Sequence, residues 1–334
     1  MVTAFIKFSD GRISTDASPA SIEAALDDPK ATFWIDLEAP SEAEHSLLAD
    51  VFKFHPLAVE DTKHHVQRPK IEGYRRSAAG GAAADHFDYF YIVVHAPDRA
   101  EIQGHHCPEI DLFLCERYLI SIHDPPVEAI GHVRDRTKAD IRLALETGVD
   151  MLLYAILDYA VDQYQPILDD LDETLDEVED KALNSPRPDV LGEIAVKKRE
   201  LMYLRRIVGP QREVIAQLTR GEVPFVREST RVYLRDVNDH LVRVFETLEL
   251  YRDLVQGARD IYLSSISNNL NQIMKTLTIF SVIALPMTVI TGFFGMNFDA
   301  LPGLHSPTGF WLAVLVMLAV VLGMLYFFKR RRWI

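Results

Sequence analysis

Hydrophobic and polar positions follow three different rhythms along the chain. At the C-terminal end two long runs are apolar throughout. Thr276 to Phe298 carries no charged residue, and Gly309 to Phe328 carries none before Lys329-Arg-Arg-Arg332. Each run is close to the ~20 helical residues needed to cross a ~30 Å hydrocarbon core. Upstream, from about Phe225, the apolar positions fall into heptads. Leu234, Leu241, Leu248, Val255 and Tyr262 form one line; Val237, Val244, Tyr251 and Ala258 form the second. Alternating three- and four-residue steps predict a long helix packed against equivalents of itself. No proline interrupts this stretch before Pro286, so the stalk is expected to continue into the first apolar run, a rod of roughly 100 Å from Phe225 to Gly292.

Near that run the stripe turns polar, through Ser264, Ser265, Ser267, Asn268, Asn269 and Asn271. The same register then places Asn271, Thr278, Leu285 and Gly292 on one line, and Met274, Ser281, Thr288 and Gly295 on the other. Hydroxyls, an amide and glycines on one face of a membrane helix suit a water-lined conduit, because lipid would not solvate them. Small and hydroxyl side chains also serve as contacts between membrane helices. Either reading requires several copies. Pro286 frees the carbonyl of Val282, which predicts a kink.

Between the stalk and the N-terminal region lies a change of charge. Met151 to Asn184 reads as helix and includes Asp169 to Asp180, where eight of twelve residues are acidic; after Ser185-Pro-Arg-Pro188 a basic helix carries Lys197, Lys198, Arg199, Arg205, Arg206 and Arg212. The two can pair as an antiparallel hairpin, or the acidic helix can concentrate cations at a cytoplasmic exit. Residues 1–150 alternate as an α/β domain. Strands are predicted at Thr32–Asp36, from Ile71, at Phe87–Val94, Glu109–Leu114 and Tyr118–Ile122. Ser41 with Glu44 reads as a capping box for a helix through Phe52, and His55-Pro56 begins another. Ser77 to Ala84 is a low-complexity loop.

The resulting organisation is an α/β domain over 1–150, an acidic/basic helical region over 151–224, a stalk over 225–275, spans at 276–297 and 309–328, a loop at 298–308 and a basic tail at 329–334. The formal charge of −14 argues against a nucleic-acid partner. Two cysteines, Cys107 and Cys115, imply no disulfide framework and suit a reducing compartment. Met1 to Asp10 has no basic start followed by a long apolar core, so no secretory signal is predicted. The basic cluster directly after the second span, and the lack of Lys or Arg from Asp299 to Thr308, predict both termini inside and the loop outside. An integral protein of the plasma (inner) membrane is expected, with membrane lipid around it.

Candidate chemistry concentrates at the end of the first span. A ring of Asn297 amides could accept hydrogen bonds from the hydration shell of a cation that keeps its waters, and would release the ion again. Gly292 and Gly295 would let the chain turn close to an axis. His105-His106-Cys107 with Cys115 could be read as a soft-metal site or as residues flanking a strand; His64-His65 beside Glu60-Asp61 reads as a solvated helix end. No nucleophile elbow, P-loop or HExxH motif occurs, so nothing supports an enzyme or an organic cofactor.

Gly295-Met-Asn297 after such a stalk, between two C-terminal spans, resembles the CorA family of divalent-cation channels. Further matching pieces are Tyr233-Leu-Arg-Asp-Val237 with Asp239-His240, Asp260 to Ser265, Met274-Lys275, Leu277-Thr278 and Pro286-Met-Thr288. The resemblance implies a funnel-shaped homopentamer that carries hydrated Mg²⁺, with Co²⁺ and Ni²⁺, driven by the membrane potential. It implies Gly295, Met296 and Asn297 at the pore mouth, and Asn271, Met274, Leu277, Leu285, Thr288 and Gly292 along the pore. The heptad instead selects Thr278, with Ser281. It further implies that intracellular Mg²⁺ is sensed by Asp236, with Asp98 as its partner. The outer loop, with Gly303 and His305, leaves open a ZntB-like proton-coupled zinc transporter of the same fold. A membrane-anchored coiled-coil scaffold or cation sensor without flux is the reading from another class.

Overall fold

The computed structural model describes residues 1–64, 68–75, 87–97, 107–124, 126–296, 307–331 and 333. It resolves two units: Met1–Glu179 together with Asp189–Ala258, and Asp180–Pro188 together with Arg259–Ile334.

The first unit is built on seven strands: β1 Val2–Lys7, β2 Ile13–Ser14, β3 Thr32–Glu38, β4 Lys70–Tyr74, β5 Tyr89–His95, β6 Glu109–Leu114 and β7 Tyr118–His123, in the order β2-β1-β3-β7-β6-β5-β4. β3 and β7 run parallel, and the other described ladders are antiparallel. Every residue of β5, β6 and β7 is buried, which requires cover on both faces. Three helices supply one cover: α1 Pro19–Asp27, α2 Glu42–Asp50 and α3 Pro56–Asp61. Their Ile22, Ala25, Leu48 and Ala58 join Phe33, Ile35, Tyr89, Tyr91, Phe113 and Tyr118 in one core. Helices α4 Glu128–Ala139, α5 Ile141–Glu146 and α6 Val149–Asp162 follow the last strand; α5 and α6 lie against strands of the sheet, and α4 packs on α6.

The capping box forms as expected: Ser41 N–H donates to Glu44 Oε2 at 2.8 Å, and Glu44 N–H donates to Ser41 Oγ. The helix stops at Asp50 rather than Phe52. Lys53 then takes a positive φ, and the turn stacks Phe52 on Phe54 in the core. The strand expected at Phe87–Val94 runs from Tyr89 to His95.

Three long helices complete the described chain: α7 Tyr164–Asn184, α8 Pro188–Arg220 and α9 Glu228–Phe294, followed by α10 Pro307–Arg330. On α7, Leu168, Leu171, Leu175 and Val178 are buried, while Asp169, Asp172, Glu173, Asp176 and Glu177 are on the solvent side. Sixty-seven residues of α9 run unbroken through Pro286.

The heptad stripe of α9 corrects an expectation. Leu234, Val237, Leu241, Val244, Leu248, Tyr251, Val255 and Ala258 are all buried, and a single chain buries them. Tyr251 OH donates to Leu168 O of α7 at 3.2 Å, Arg205 of α8 pairs with Glu249, and Arg212 of α8 lies 4.7 Å over the Phe245 ring. Asp150 at the start of α6 takes bonds from Arg227 and from Thr230 Oγ1 (2.6 Å). The seam is therefore packed by α6, α7 and α8 rather than by a copy of itself. A heptad specifies an apolar seam on a helix, and any amphipathic neighbour can fill it.

In the second unit, the C-terminal part of α9 and α10 are both long and apolar enough to cross a membrane. Their large side chains face outward: Phe280 is 73% exposed, Leu285 68% and Trp311 68%. Apolar surface on this scale needs lipid or other copies to cover it.

Candidate ion pathway on the first apolar helix

Six of the expected pathway residues, Asn271, Met274, Leu277, Ser281, Leu285 and Thr288, are exposed along α9, with Gly292 beyond them. Their spacing of three or four keeps them on one side of the helix. The edge of that face meets α10, where Thr278 and Val282 line a groove with Ala319, Gly323 and Phe327. Thr278 is thus half-buried beside α10, whereas Leu277 is 58% exposed. The heptad counted Thr278 onto this line and the resemblance counted Leu277; in the single chain Leu277 is the more exposed of the two. A 3.5-residue repeat drifts by ~20° per heptad on a straight 3.6-residue helix, so the register slips over four heptads.

Hydroxyls on this helix are already bound to it. Thr288 Oγ1 donates to Ala284 O at 3.0 Å, and Thr291 Oγ1 donates to Met287 O at 2.9 Å. A threonine whose proton is held by its own helix keeps its oxygen lone pairs as acceptors. A hydrated cation presents O–H donors outward, so the Thr288 oxygen is the right polarity for it.

The helix end is tight. Gly295 N–H donates to Thr291 O at 2.9 Å, and a Cβ on Gly295 would stand 3.1 Å from that same oxygen. Glycine fits this closing turn without displacing the carbonyl. At Gly292 nothing lies within 4 Å of such a Cβ, so its own chain imposes no need for glycine there. Met296 follows, 45% exposed. Asn297, Asp299, Gly303 and His305 lie outside the described residues, as does Asp98.

Asp236 stands on α9 in the first unit with its side chain 71% exposed, 3.8 Å from His240 Nε2 one turn on. His240 Nδ1 is 3.5 Å from Asp162 of α6, and Tyr154 OH donates to Asp158 Oδ2 at 3.1 Å. Burial raises the Asp158 carboxyl above the ordinary carboxylate value; the Tyr154 bond opposes this, and the charges of Asp162 and Asp236 add to it. Beside this group is a cavity of about 330 Å³, lined by Asp162, Gln165, His240, Arg243 and Thr247 among others. Three carboxylates and one imidazole are therefore gathered where the sequence singled out Asp236, with Asp98 as its expected partner. The signal was present in the spacing: Asp158 and Asp162, like Asp236 and His240, are four apart and share helix faces.

Residues 29–330 match the family described as CorA-like Mg2+ transporter protein. That match takes in the sheet from β3 to β7, α9 with its exposed line, and α10. The chain belongs to this family. Among CorA-family relatives, the cobalt/magnesium transport protein CorA of Thermotoga maritima is 31% identical over 291 residues, covering 86% of this chain and 79% of that protein. The YfjQ protein of Bacillus subtilis is 34% identical over 304 residues, covering 91% and 90%. Across the whole chain, the structure is similar to the complete structure of the CorA magnesium transporter from Methanocaldococcus jannaschii, with a TM-score of 0.80, 26% identity and coverage of 100% and 99%.

Two other constellations are resolved by position within this CorA-type fold. Cys107 precedes β6 and Cys115 follows it. Eight residue steps, most of them along the six-residue strand, separate the thiols by roughly 25 Å, so they cannot share a metal. Cys107 N–H donates to Tyr203 OH at 2.7 Å, Cys115 Sγ approaches Asp88 O at 3.2 Å, and His105 and His106 lie outside the described residues. His64 N–H donates to Asp61 O at 3.1 Å, ending a helical turn; His65 is also outside. One group escaped the sequence reading. Asp36, Glu38 and His123 meet at the C-terminal ends of β3 and β7, close enough to hold an ion. Arg134 of α4 already lies 3.3 Å from Asp36 Oδ2 and 2.8 Å from Glu38 Oε2, so a protein cation already pairs with both acids.

Proposed function

We propose that this chain assembles around an axis into a pore for hydrated divalent cations, Mg²⁺ first, with Co²⁺ and Ni²⁺ as further cargo. The exposed line from Asn271 to Gly292 carries this reading. It is continuous, it alternates acceptors (Asn271, Ser281, Thr288) with apolar constrictions (Met274, Leu277, Leu285), and it ends at Gly295-Met296-Asn297. Acceptor oxygens bind the outer face of a hydration shell without stripping it, which suits an ion that keeps its waters. Apolar rings between them close a pore by dewetting when narrow and conduct when widened. One helix cannot enclose a pore, so several copies are required, and five is the number in our reading.

Both termini lie in the cytoplasm on the evidence of Lys329 to Arg332. Entry of a divalent ion down a 100 mV inside-negative potential then supplies about 4.6 kcal/mol, with no coupled proton. Asp236, with Asp158, Asp162 and His240 around it, is the site where intracellular Mg²⁺ acts to close the pore. The side chain of Asp98 is its partner in this reading.

The deciding measurement is divalent uptake into proteoliposomes with a set membrane potential, with and without a pH gradient. Mg²⁺ entry that follows voltage and ignores pH supports the channel, and Asn297→Ala should abolish it while the assembly stays intact. Zn²⁺ entry that needs the proton gradient would give the site to zinc. No flux of either ion, in protein that is folded and assembled, would leave a scaffold.

A further inference from the structure

The groove between α9 and α10 is an open cavity of about 520 Å³, within the ~300–1,000 Å³ of small-molecule sites. Thr278, Val282, Ala319, Gly323, Phe327 and Trp333 are among its lining residues. The hydroxyl of Thr278 donates to Met274 O at 2.8 Å, so it brings no unsatisfied donor to the groove. Gly323 has nothing within 4 Å of a built Cβ, which leaves the floor open. The occupant this surface asks for is a thin, apolar chain.

Basic residues follow one end of the groove, and Arg331 stands over Phe327 of its lining. Lys329, Arg330 and Arg331 follow directly on Phe327 and Phe328, all three are exposed, and the Arg331 guanidinium lies 5.8 Å from the Phe327 ring centroid. The chain then folds back. Arg331 N–H donates to Phe327 O at 3.1 Å, Trp333 N–H donates to Phe328 O at 2.9 Å, and the Trp333 ring stacks on Phe328 at 5.6 Å. An indole at the end of an apolar groove, beside guanidinium groups, marks the depth of the headgroup layer.

We propose that this groove is a specific site for an anionic phospholipid, one acyl chain lying between α9 and α10 and the phosphate resting on Arg331, with the neighbouring charges of Lys329 and Arg330 attracting it. An apolar groove of this length with a cationic mouth complements a lipid anion; it does not complement a free phosphate, which has nothing to fill the groove. A zwitterionic lipid offers the chain without the net charge and is bound more weakly. The site rests on α10 lying in the membrane and is independent of which ion the protein carries.

The test uses the full-length protein, delipidated in detergent and titrated with phosphatidylglycerol or phosphatidylcholine, with bound lipid counted by native mass spectrometry. Changing Lys329, Arg330 or Arg331 singly to Ala should weaken phosphatidylglycerol binding about fivefold each and leave phosphatidylcholine unchanged. Gly323→Leu, which fills the floor, should weaken both lipids. A single-chain lysophosphatidylglycerol should compete, and glycerol phosphate should not. Since Gly323→Leu could disturb the helix pair, a second readout is independent of it. In Trp311→Phe protein, phosphatidylglycerol with brominated chains should quench Trp333 emission, because Trp34 is fully buried in the sheet. Equal binding of the two lipids, absence of quenching, or a Gly323→Leu protein that loses assembly yet keeps its lipid would each overturn the proposal; the last would assign the groove to a helix of a second copy.

Discussion

Asp111 lies on β6 between β5 and β7, fully buried, and accepts a hydrogen bond from Tyr91 OH at 2.6 Å. Its Oδ2 has no hydrogen-bond partner among the described residues. Burial pushes the carboxyl up to about 7, against the pull of the Tyr91 bond. The folded protein therefore binds this proton more tightly than the unfolded chain. Between the unfolded value of 3.8 and about 7, the folded state holds more protons, so this residue makes stability fall as pH rises through that window. Asp111→Asn should remove that decline. Thermal unfolding at pH 5 and pH 8 is expected to show a smaller difference between the two pH values in the variant, with the gain at pH 8. An unchanged difference would mean that Asp111 is ionised at no such cost. None of this was legible in the sequence, where Glu109-Ile-Asp-Leu-Phe-Leu114 reads as a strand whose alternation puts Glu109, Asp111 and Phe113 on the same face.

At the scale of elements, α9 carries two separate stripes that the sequence presents as one heptad. In the first unit, Leu241 is fully buried by helices of its own chain. Leu241→Ala should cost about 2–5 kcal/mol of stability. The loss should be independent of protein concentration, as shown by denaturation at two dilutions tenfold apart; a concentration-dependent loss would restore the seam between copies. In the second unit, the stripe through Ser281 and Thr288 is left bare by its own chain. Ser281→Leu or Thr288→Leu should lower Mg²⁺ uptake at least tenfold while the variant elutes at the wild-type assembly size. Wild-type uptake would mean that these side chains only join helices. The period of apolar residues was readable throughout α9. What covered each stretch was not, because a stripe has no label for the surface that meets it.

For the whole molecule, the acidic group around Asp236 is set on α6 and α9 of the α/β unit, while the proposed pathway is on the apolar part of α9. If Mg²⁺ at Asp236 closes the pore, the two must be linked through one equilibrium between open and closed assemblies, and a ligand shifts it only by binding one state better. Asp236→Ala should leave uptake at low internal Mg²⁺ near wild type and abolish its decline as internal Mg²⁺ is raised. Wild-type shut-off in that variant would relieve Asp236 of the role. The sequence pointed to Asp236 through its resemblance. His240 lies one turn on along the same helix, whereas Asp158 and Asp162 became its neighbours only when α6, far off in the chain, was brought beside α9.

The order of apolar, polar and charged residues was enough to establish two membrane-length helices, one long uninterrupted helix before them, a capping box at Ser41 and a family. Each of these depends on interactions between residues close in the chain or on composition over a short window, and both are written directly in the order of residues. Tertiary structure alone decided that the heptad seam is filled by α6, α7 and α8, that Asp158 and Asp162 come beside Asp236, and that Arg134 pairs with the acids at Asp36 and Glu38. Those outcomes depend on which distant surfaces meet, and the free energy of such a meeting belongs to both partners at once.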